Sequence, residues 1–293
     1  MSVVEGQIER PHRSGRARRW RRGGRHVVLV PLALLMFLPA YLLLVNVFKS
    51  QNEILSDPFS IPFGHLSFSY LATALHNPSF SFVHAYWISG LIAAVTVALT
   101  ILVGGPLAYQ IARRRGTRYR VLFGAFVVGT FVPSQVILIP VVFLLRAIGL
   151  HDSLVGLLLY MSALSLPITV FLYTGYIRSV PRELDEAALV DGAGTLRTFW
   201  SVIFPTVRPA TATIMILTGV GAWNDFVDPL TILGPATHDY TVTTGIYAGI
   251  GQFETNFNIV YPDVLLAILP ALIFFLFLQR RFVSGLTAGA VKG

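Results

Sequence analysis

Glu183, Asp185, Glu186 and Asp191 set four carboxylates within nine residues of a chain whose 293 residues are only 12% charged. Gly192 and Gly194 follow at once, and long apolar runs lie on both sides. A scaffold buried in lipid does not require such a stretch, so its chemistry reads as polar docking on something outside the membrane. Other chemistries are poorly provided for. No cysteine is present, which excludes disulfides, thiolate metal sites and a cysteine nucleophile. His65, His76, His84 and His238 are scattered at no metal-ligand spacing, and no nucleophile–base or paired-carboxylate arrangement stands out. A phosphate-cradling loop needs G-x-x-x-x-G-K-[ST]. Lys49 follows Phe48 and Lys292 is followed by Gly293, so neither completes that pattern, and the chain reads as no enzyme.

The elements that must position this stretch are membrane spans. Apolar residues make up 54% of the chain and its mean hydropathy is +0.68, whereas a soluble domain carries about 25% charged residues. A helix crosses the hydrocarbon with roughly 20 apolar residues. Six runs qualify: Val27–Phe48, His84–Tyr109, Val121–Leu145, Ser153–Tyr176, Pro209–Leu233 and Pro262–Gln279. Together they make residues 27–279 a transmembrane domain. No cleavable signal peptide is expected, because the first run is too long and no small-residue cleavage site follows it. No internal repeat is visible. Of the longer connections, 234–261 is rich in glycine and aromatics and is expected to hold a short helix.

The basic residues sort by loop. Eight arginines lie in the arm 1–26, five in IARRRGTRYR and four in loop 178–208, and the tail 280–293 adds Arg280, Arg281 and Lys292. Lys49 and Arg146 alone fall on the other side. Positive charge marks the cytoplasmic face, so both termini and the acidic stretch are expected inside. The formal net charge of +8 is then an orientation signal, with some attraction to anionic lipid, rather than a nucleic-acid surface.

Pro181 suits the first position of a helix, and Glu183, Asp185 and Glu186 offset the positive end of its dipole. Leu184, Ala187, Ala188 and Asp191 recur at i, i+3, i+4 and i+7 and share one narrow face. Gly192 and Gly194 end the helix, since glycine takes a left-handed cap without penalty. A helix of about 11 residues, near 16 Å long, is expected. Thr195 is expected to cap a second helix, LRTFWSVIF, which Pro205 stops or kinks. Patterning alone leaves two readings open, a docking helix or a plain amphipathic connector.

Glu186-Ala187-Ala188, three residues, Gly192, nine residues and Val202-Ile203-Phe204-Pro205 resemble the EAA loop of ABC importer permeases, E-A-A-x3-G-x9-I-x-L-P. Val202 and Phe204 stand for the Ile and Leu of that pattern. The resemblance extends through VPSQVILIPVVFLLRAIGLHDS, LPITVFLYTGYIRSVPRELDEAA, AWNDFVDPL and the tail GLTAGAVKG. Together these segments are similar to the MalG-like permeases of the binding-protein-dependent carbohydrate importers.

That resemblance implies an all-α integral membrane protein of six transmembrane helices, with the type I ABC importer permease fold and both termini inside. It places the chain in a bacterial or archaeal cell membrane. The implied partners are a second homologous permease, two copies of a cytoplasmic ABC ATPase, an extracytoplasmic solute-binding protein, the sugar and membrane lipid, with no nucleic acid. ATP and Mg are bound by the ATPase, and this chain holds no cofactor or metal of its own. The ATPase-coupling residues implied are Glu183, Glu186, Ala187, Ala188, Asp191, Gly192 and Pro205. Within the tail, small and flexible by composition, Gly285, Thr287, Gly289 and Lys292 are implied to reach the ATPase.

Sugars are recognised through hydroxyl hydrogen bonds and stacking on aromatic faces. Gln135, beside Pro133 in the third run, and Trp223, Asn224, Asp225 and Phe226 in the fifth are the candidates to line the path. Helix-to-helix bonding or an outer gate are the other roles open to them. The only acids in the middle runs, Asp225 and Asp228, lie near one end, which is too few for an ion-driven carrier acting alone. Such a carrier, or a permease for a non-sugar solute, is the remaining alternative.

Overall fold

The computed structural model describes residues 15–64, 66–76, 81–234, 237, 239–249 and 256–290, with side chains for 27, 29–248 and 256–277 of these. Among the described residues every regular element is helical. The chain divides into two units, 1–68 and 69–293, where composition suggested one transmembrane domain.

In the first unit, α1 (Gly15–Asn46) contains the apolar stretch Leu29–Asn46, long enough to cross a bilayer. After it the chain is tied back. Asn46 Nδ2 donates to the carbonyls of Leu42 and Pro58, at 2.8 and 3.1 Å, and the buried Lys49 Nζ donates to the Asp57 carbonyl at 2.8 Å. Between these anchors, α2 (Gln51–Ser56) starts in a capping box of Ser50 and Glu53.

The second unit starts with the short α3 (Ser69–Leu75) and is built on α4 (Phe82–Arg113) and α7 (Leu154–Ser179), which run in the same direction along one another. Gly104 faces Thr169, Gly105 faces Phe199, and Arg113 reaches Val180. Without a hydrophobic force between helices in lipid, close approach over small residues is what joins them. A Cβ at Gly105 would stand 2.7 Å from Phe199 Cζ, so the glycine pair is a packing site. Thr96, Thr100, Thr169 and Thr174 are fully buried, Thr169 within this seam. α11 (Arg208–Asn224) lies across it, with the Tyr173 hydroxyl 2.9 Å from Thr211 Oγ1. α14 (Phe257–Ala290) closes against α4 and α11, where the Leu266 and Ala267 carbonyls accept from Tyr86 and Trp223.

The glycines of α4 offer a direct test of this packing. Gly90→Ala meets open space and gains helix propensity, so it is expected to leave the melting temperature unchanged or raise it. Gly105→Ala must displace a buried ring and is expected to cost about 1–3 kcal/mol. Thermal unfolding of both variants in detergent measures the difference.

Several expected boundaries move. The second run becomes a helix of 32 residues, six longer than His84–Tyr109, with Ser81 accepting from the His84 N–H as its cap. Val121–Leu145 is two helices, α5 (Thr117–Gly129) and α6 (Ser134–Ala147), bent by 104°. Pro133 is the N-cap of α6; the ring removes an N–H and steers the residue before it away from helix. Pro209–Leu233 also divides. α11 stops at Asn224, and α12 (Val227–Leu233) follows a break in which Asp225 Oδ1 accepts the Asp228 N–H at 3.3 Å. Among the described residues, four helices are long and apolar enough to span, or up to six if each bent pair is one span. The short helix expected within 234–261 is α13 (Val242–Gly249), held to α4 by the Val242 N–H donating to Ser89 Oγ at 2.9 Å. The tail expected to be flexible is helical through Ala290, despite Gly285 and Gly289.

Candidate functional site

Two places gather the residues that could do work. The first is the acidic stretch. It forms α8 (Glu183–Val190), 8 residues against the 11 expected from Pro181 onward, because Arg182 is the N-cap and Asp191 the C-cap. Its end is a paired cap: the Ala193 N–H donates to the Ala188 carbonyl at 2.9 Å and the Gly192 N–H to that of Leu189 at 3.0 Å. That geometry needs a left-handed residue, and Gly192 has φ +76°. The next segment is not one continuous α-helix. α9 (Thr195–Thr198) is capped at Gly194, not Thr195, then a π-helical turn (Phe199–Ile203) leads to α10 (Phe204–Thr206), which contains Pro205. The π-turn swings Phe199 into the core beside Tyr109 and Tyr173 while Trp200 and Phe204 pack on its ring.

This loop is tied down on one side and bare on the other. Ala188, one of the coupling residues the resemblance implies, is buried within the chain itself. Glu183, Glu186, Ala187, Asp191 and Gly192 are exposed. Beside them Leu189 and Val190 are 73% and 87% exposed, and Leu196 is also exposed. The outward surface is therefore an apolar tip with an acidic rim, larger than the small-residue face the spacing suggests.

Asp185 takes a different course. Its Oδ1 accepts from the Tyr109 hydroxyl at 2.6 Å, and its Oδ2 pairs with the Arg113 guanidinium at 2.8 Å. The pair is made by proximity rather than by an aligned hydrogen bond. Arg113 also donates to the carbonyls of Val180 at 3.0 Å and Pro181 at 3.5 Å. Sequence reasoning missed this cluster, since Tyr109 and Arg113 lie over 70 residues away from Asp185 and look like the end of a span.

The second place is a groove of about 710 Å³ between α4, α6, α7, α11 and α12. Its polar groups include those of Thr96, Tyr160, Ser165, Thr218, Asp225 and Asp228. Asp228 is only 2% exposed, and among the described residues its Oδ1 meets no hydrogen-bond donor; the Thr96 and Thr218 hydroxyls are in the same state. Oxygens so placed can bind a solute rich in hydroxyls.

Of the five path candidates, Asp225 alone lines this groove. Gln135 is exposed on α6, where its neighbour Ser134 takes the lining position. Asn224 is exposed at the end of α11. Trp223 turns to the other side of α11, stacks on Tyr86 with centroids 6.0 Å apart, and donates to the Ala267 carbonyl at 3.1 Å. Phe226 packs on Tyr247 of α13 at 5.1 Å. Asp263, a buried carboxylate of α14, had escaped notice because it falls in the last run rather than the middle ones. Among the tail candidates, the backbone of Gly285, Thr287 and Gly289 continues α14, and Lys292 lies outside the described residues, as do His65 and His238.

Relatives of the chain give these two places a context. The melibiose/raffinose/stachyose import permease protein MelC of Bacillus subtilis is 33% identical over 261 residues, covering 88% of this chain and 92% of the relative. The multiple sugar-binding transport system permease protein MsmG of Streptococcus mutans is 31% identical over 271 residues, covering 92% and 96%. Among solved structures, a chain of a bacterial ABC transporter involved in the import of the acidic polysaccharide alginate matches with a TM-score of 0.79 at 21% identity, over 94% of this chain and 100% of that one. At that identity the match shows the fold. Residues 100–287, which include the groove helices α6, α7, α11 and α12 and the whole acidic loop, match the family described as binding-protein-dependent transport system inner membrane component. The chain belongs to that family: it is a membrane permease component of an ABC importer.

Proposed function

We propose that this chain is one of two permease subunits of an ATP-driven carbohydrate importer, and that α8 is the element on which the ATPase docks. The relatives named for sugars cover nearly the whole chain, and the polar lining of the groove suits a hydroxyl-rich solute. In this reading a second, related permease closes the groove into a path. Two ATPase subunits hold ATP and Mg²⁺, and a solute-binding protein delivers sugar at the opposite face. The tail residues Gly285, Thr287, Gly289 and Lys292 lie on the ATPase side.

The observation that carries the reading is the construction of α8. A loop otherwise tied into the core leaves Leu189, Val190 and Leu196 bare between Glu183, Glu186 and Asp191. Exposed apolar groups with a polar rim mark interaction sites. ATPase closure on nucleotide carries α8 with it and opens the groove outward. Hydrolysis then restores the inward-facing state.

The test is a pull-down from gently solubilised membranes with the intact chain and with a Glu186→Ala, Val190→Asp variant. The expected result is that an ATPase and a second permease accompany the intact chain, and that the ATPase alone is lost from the variant. Recovery of the intact chain by itself would overturn the reading in favour of a carrier acting alone.

A further inference from the structure

The loop after α7 raises a mechanical question. Along the chain, a push on α8 reaches α7 through Val180, Pro181 and Arg182, and an irregular joint of that length absorbs motion unless something stiffens it. The last carbonyls of a helix have no partner within it. Here Arg113 of α4 supplies one: its guanidinium donates to the Val180 and Pro181 carbonyls on one side and pairs with Asp185 of α8 on the other. Tyr109, one turn earlier on α4, donates to the same carboxylate at 2.6 Å. A planar fork of donors suits several oxygens at once, where the point charge of a lysine does not. The three groups are largely withdrawn from solvent, so screening weakens the contact less than it would a surface pair.

We infer that Asp185, Arg113 and Tyr109 form a rigid elbow that makes α4, and not only the covalently attached α7, move with α8. Phe199, seated on Gly105 of the same helix, gives the second half of the loop its own grip on α4. With two attachments on one helix, displacement of α8 is passed to α4, which supplies Thr96 to the groove wall. Asp185, Arg113 and Tyr109 are positioning residues that act through α8. The inference rests on the proposed docking of the ATPase at α8.

The chain has no cysteine, so spin labels can be placed at will. Labels at Arg114→Cys, the exposed C-cap of α4, and Leu184→Cys, exposed on α8 away from the docking tip, report the distance between the two helices. Pulsed EPR on the assembled transporter in lipid, without nucleotide and trapped with ATP, Mg²⁺ and vanadate, reads that distance. The expected result is one narrow distribution, unmoved by trapping, in the wild-type background. In Asp185→Asn or Arg113→Gln it broadens or shifts on trapping, while the ATPase still co-purifies and transport per ATP hydrolysed falls about tenfold. Arg113→Lys, which keeps the charge and loses the fork, sits between. A wild-type distance that changes by several ångströms on trapping overturns the elbow, as does an Asp185→Asn variant with wild-type distributions. Failure of the ATPase to bind even the intact chain would instead remove the docking on which the elbow rests.

Discussion

Gly192→Val is expected to reach the membrane in normal amount and to lose most of the coupling between ATP hydrolysis and uptake. At φ +76° a side chain with a Cβ costs about 1–2 kcal/mol, and a β-branched one is a genuine outlier there. The two hydrogen bonds that end α8, from Gly192 and Ala193, depend on that conformation. Among the described residues nothing stands within 4 Å of the added Cβ, so the effect is one of backbone strain and not of a clash. Since about 1.4 kcal/mol is a tenfold change in an equilibrium, binding-protein-stimulated ATP hydrolysis by the reconstituted complex should fall roughly tenfold. Gly192→Asn separates strain from the mere loss of glycine, because asparagine tolerates the left-handed region; it should keep most of the activity. Equal activity in the valine and wild-type proteins would show that the end of α8 has no part in coupling.

Asp228→Leu is expected to make the protein more stable and a worse transporter. A buried carboxylate oxygen without a donor costs free energy, and replacing it with an apolar side chain of similar size relieves that cost. The melting temperature in detergent should rise by a few degrees. If the carboxylate accepts hydrogen bonds from the sugar in the groove, its loss removes about 1.5–3 kcal/mol, or roughly a ten- to hundredfold fall in uptake at low sugar concentration. Asp228→Asn keeps the shape and half of the accepting power, and should fall between. Unchanged uptake by the leucine variant would exclude Asp228 from the path. Loss of the second permease from the purified complex would place the carboxylate at the subunit interface instead.

A stability gain coupled to a functional loss is the mark of a group retained for what it binds. Thr96 and Thr218, whose buried hydroxyls meet no partner among the described residues, belong to the same groove and should respond in the same direction.

Much of the acidic loop was legible because its signals are local. Carboxylates at the start of α8 answer the helix dipole, and Gly192 supplies a conformation that few other residues accept, so Glu183, Asp185, Glu186 and Gly192 announce a helix and its end. Arginine sorting and apolar run length are likewise properties of short segments, and they pointed to membrane helices before any packing was known. The break at Pro133 and the break at Asp225–Phe226 were less plain. Both fall inside runs apolar enough to read as one span, and the lost N–H of one and the side-chain cap of the other turn the chain.

What only the tertiary structure decided is which face each helix shows and to what. Trp223 and Asp225 are two residues apart, yet one packs toward α14 and the other opens on the groove, because the helix ends between them. Ala188 and Val190 are also two apart, and one is buried while the other is bare. Asp185 resembled its acidic neighbours in composition, but the approach of α4 over Gly104 and Gly105 brought Arg113 and Tyr109 to it from across the fold. Local sequence governs conformation through dihedral preference, capping and hydropathy, each acting over one or two turns. Partnership between distant residues depends on how closely two backbones can approach, and that is a property of the assembled helices.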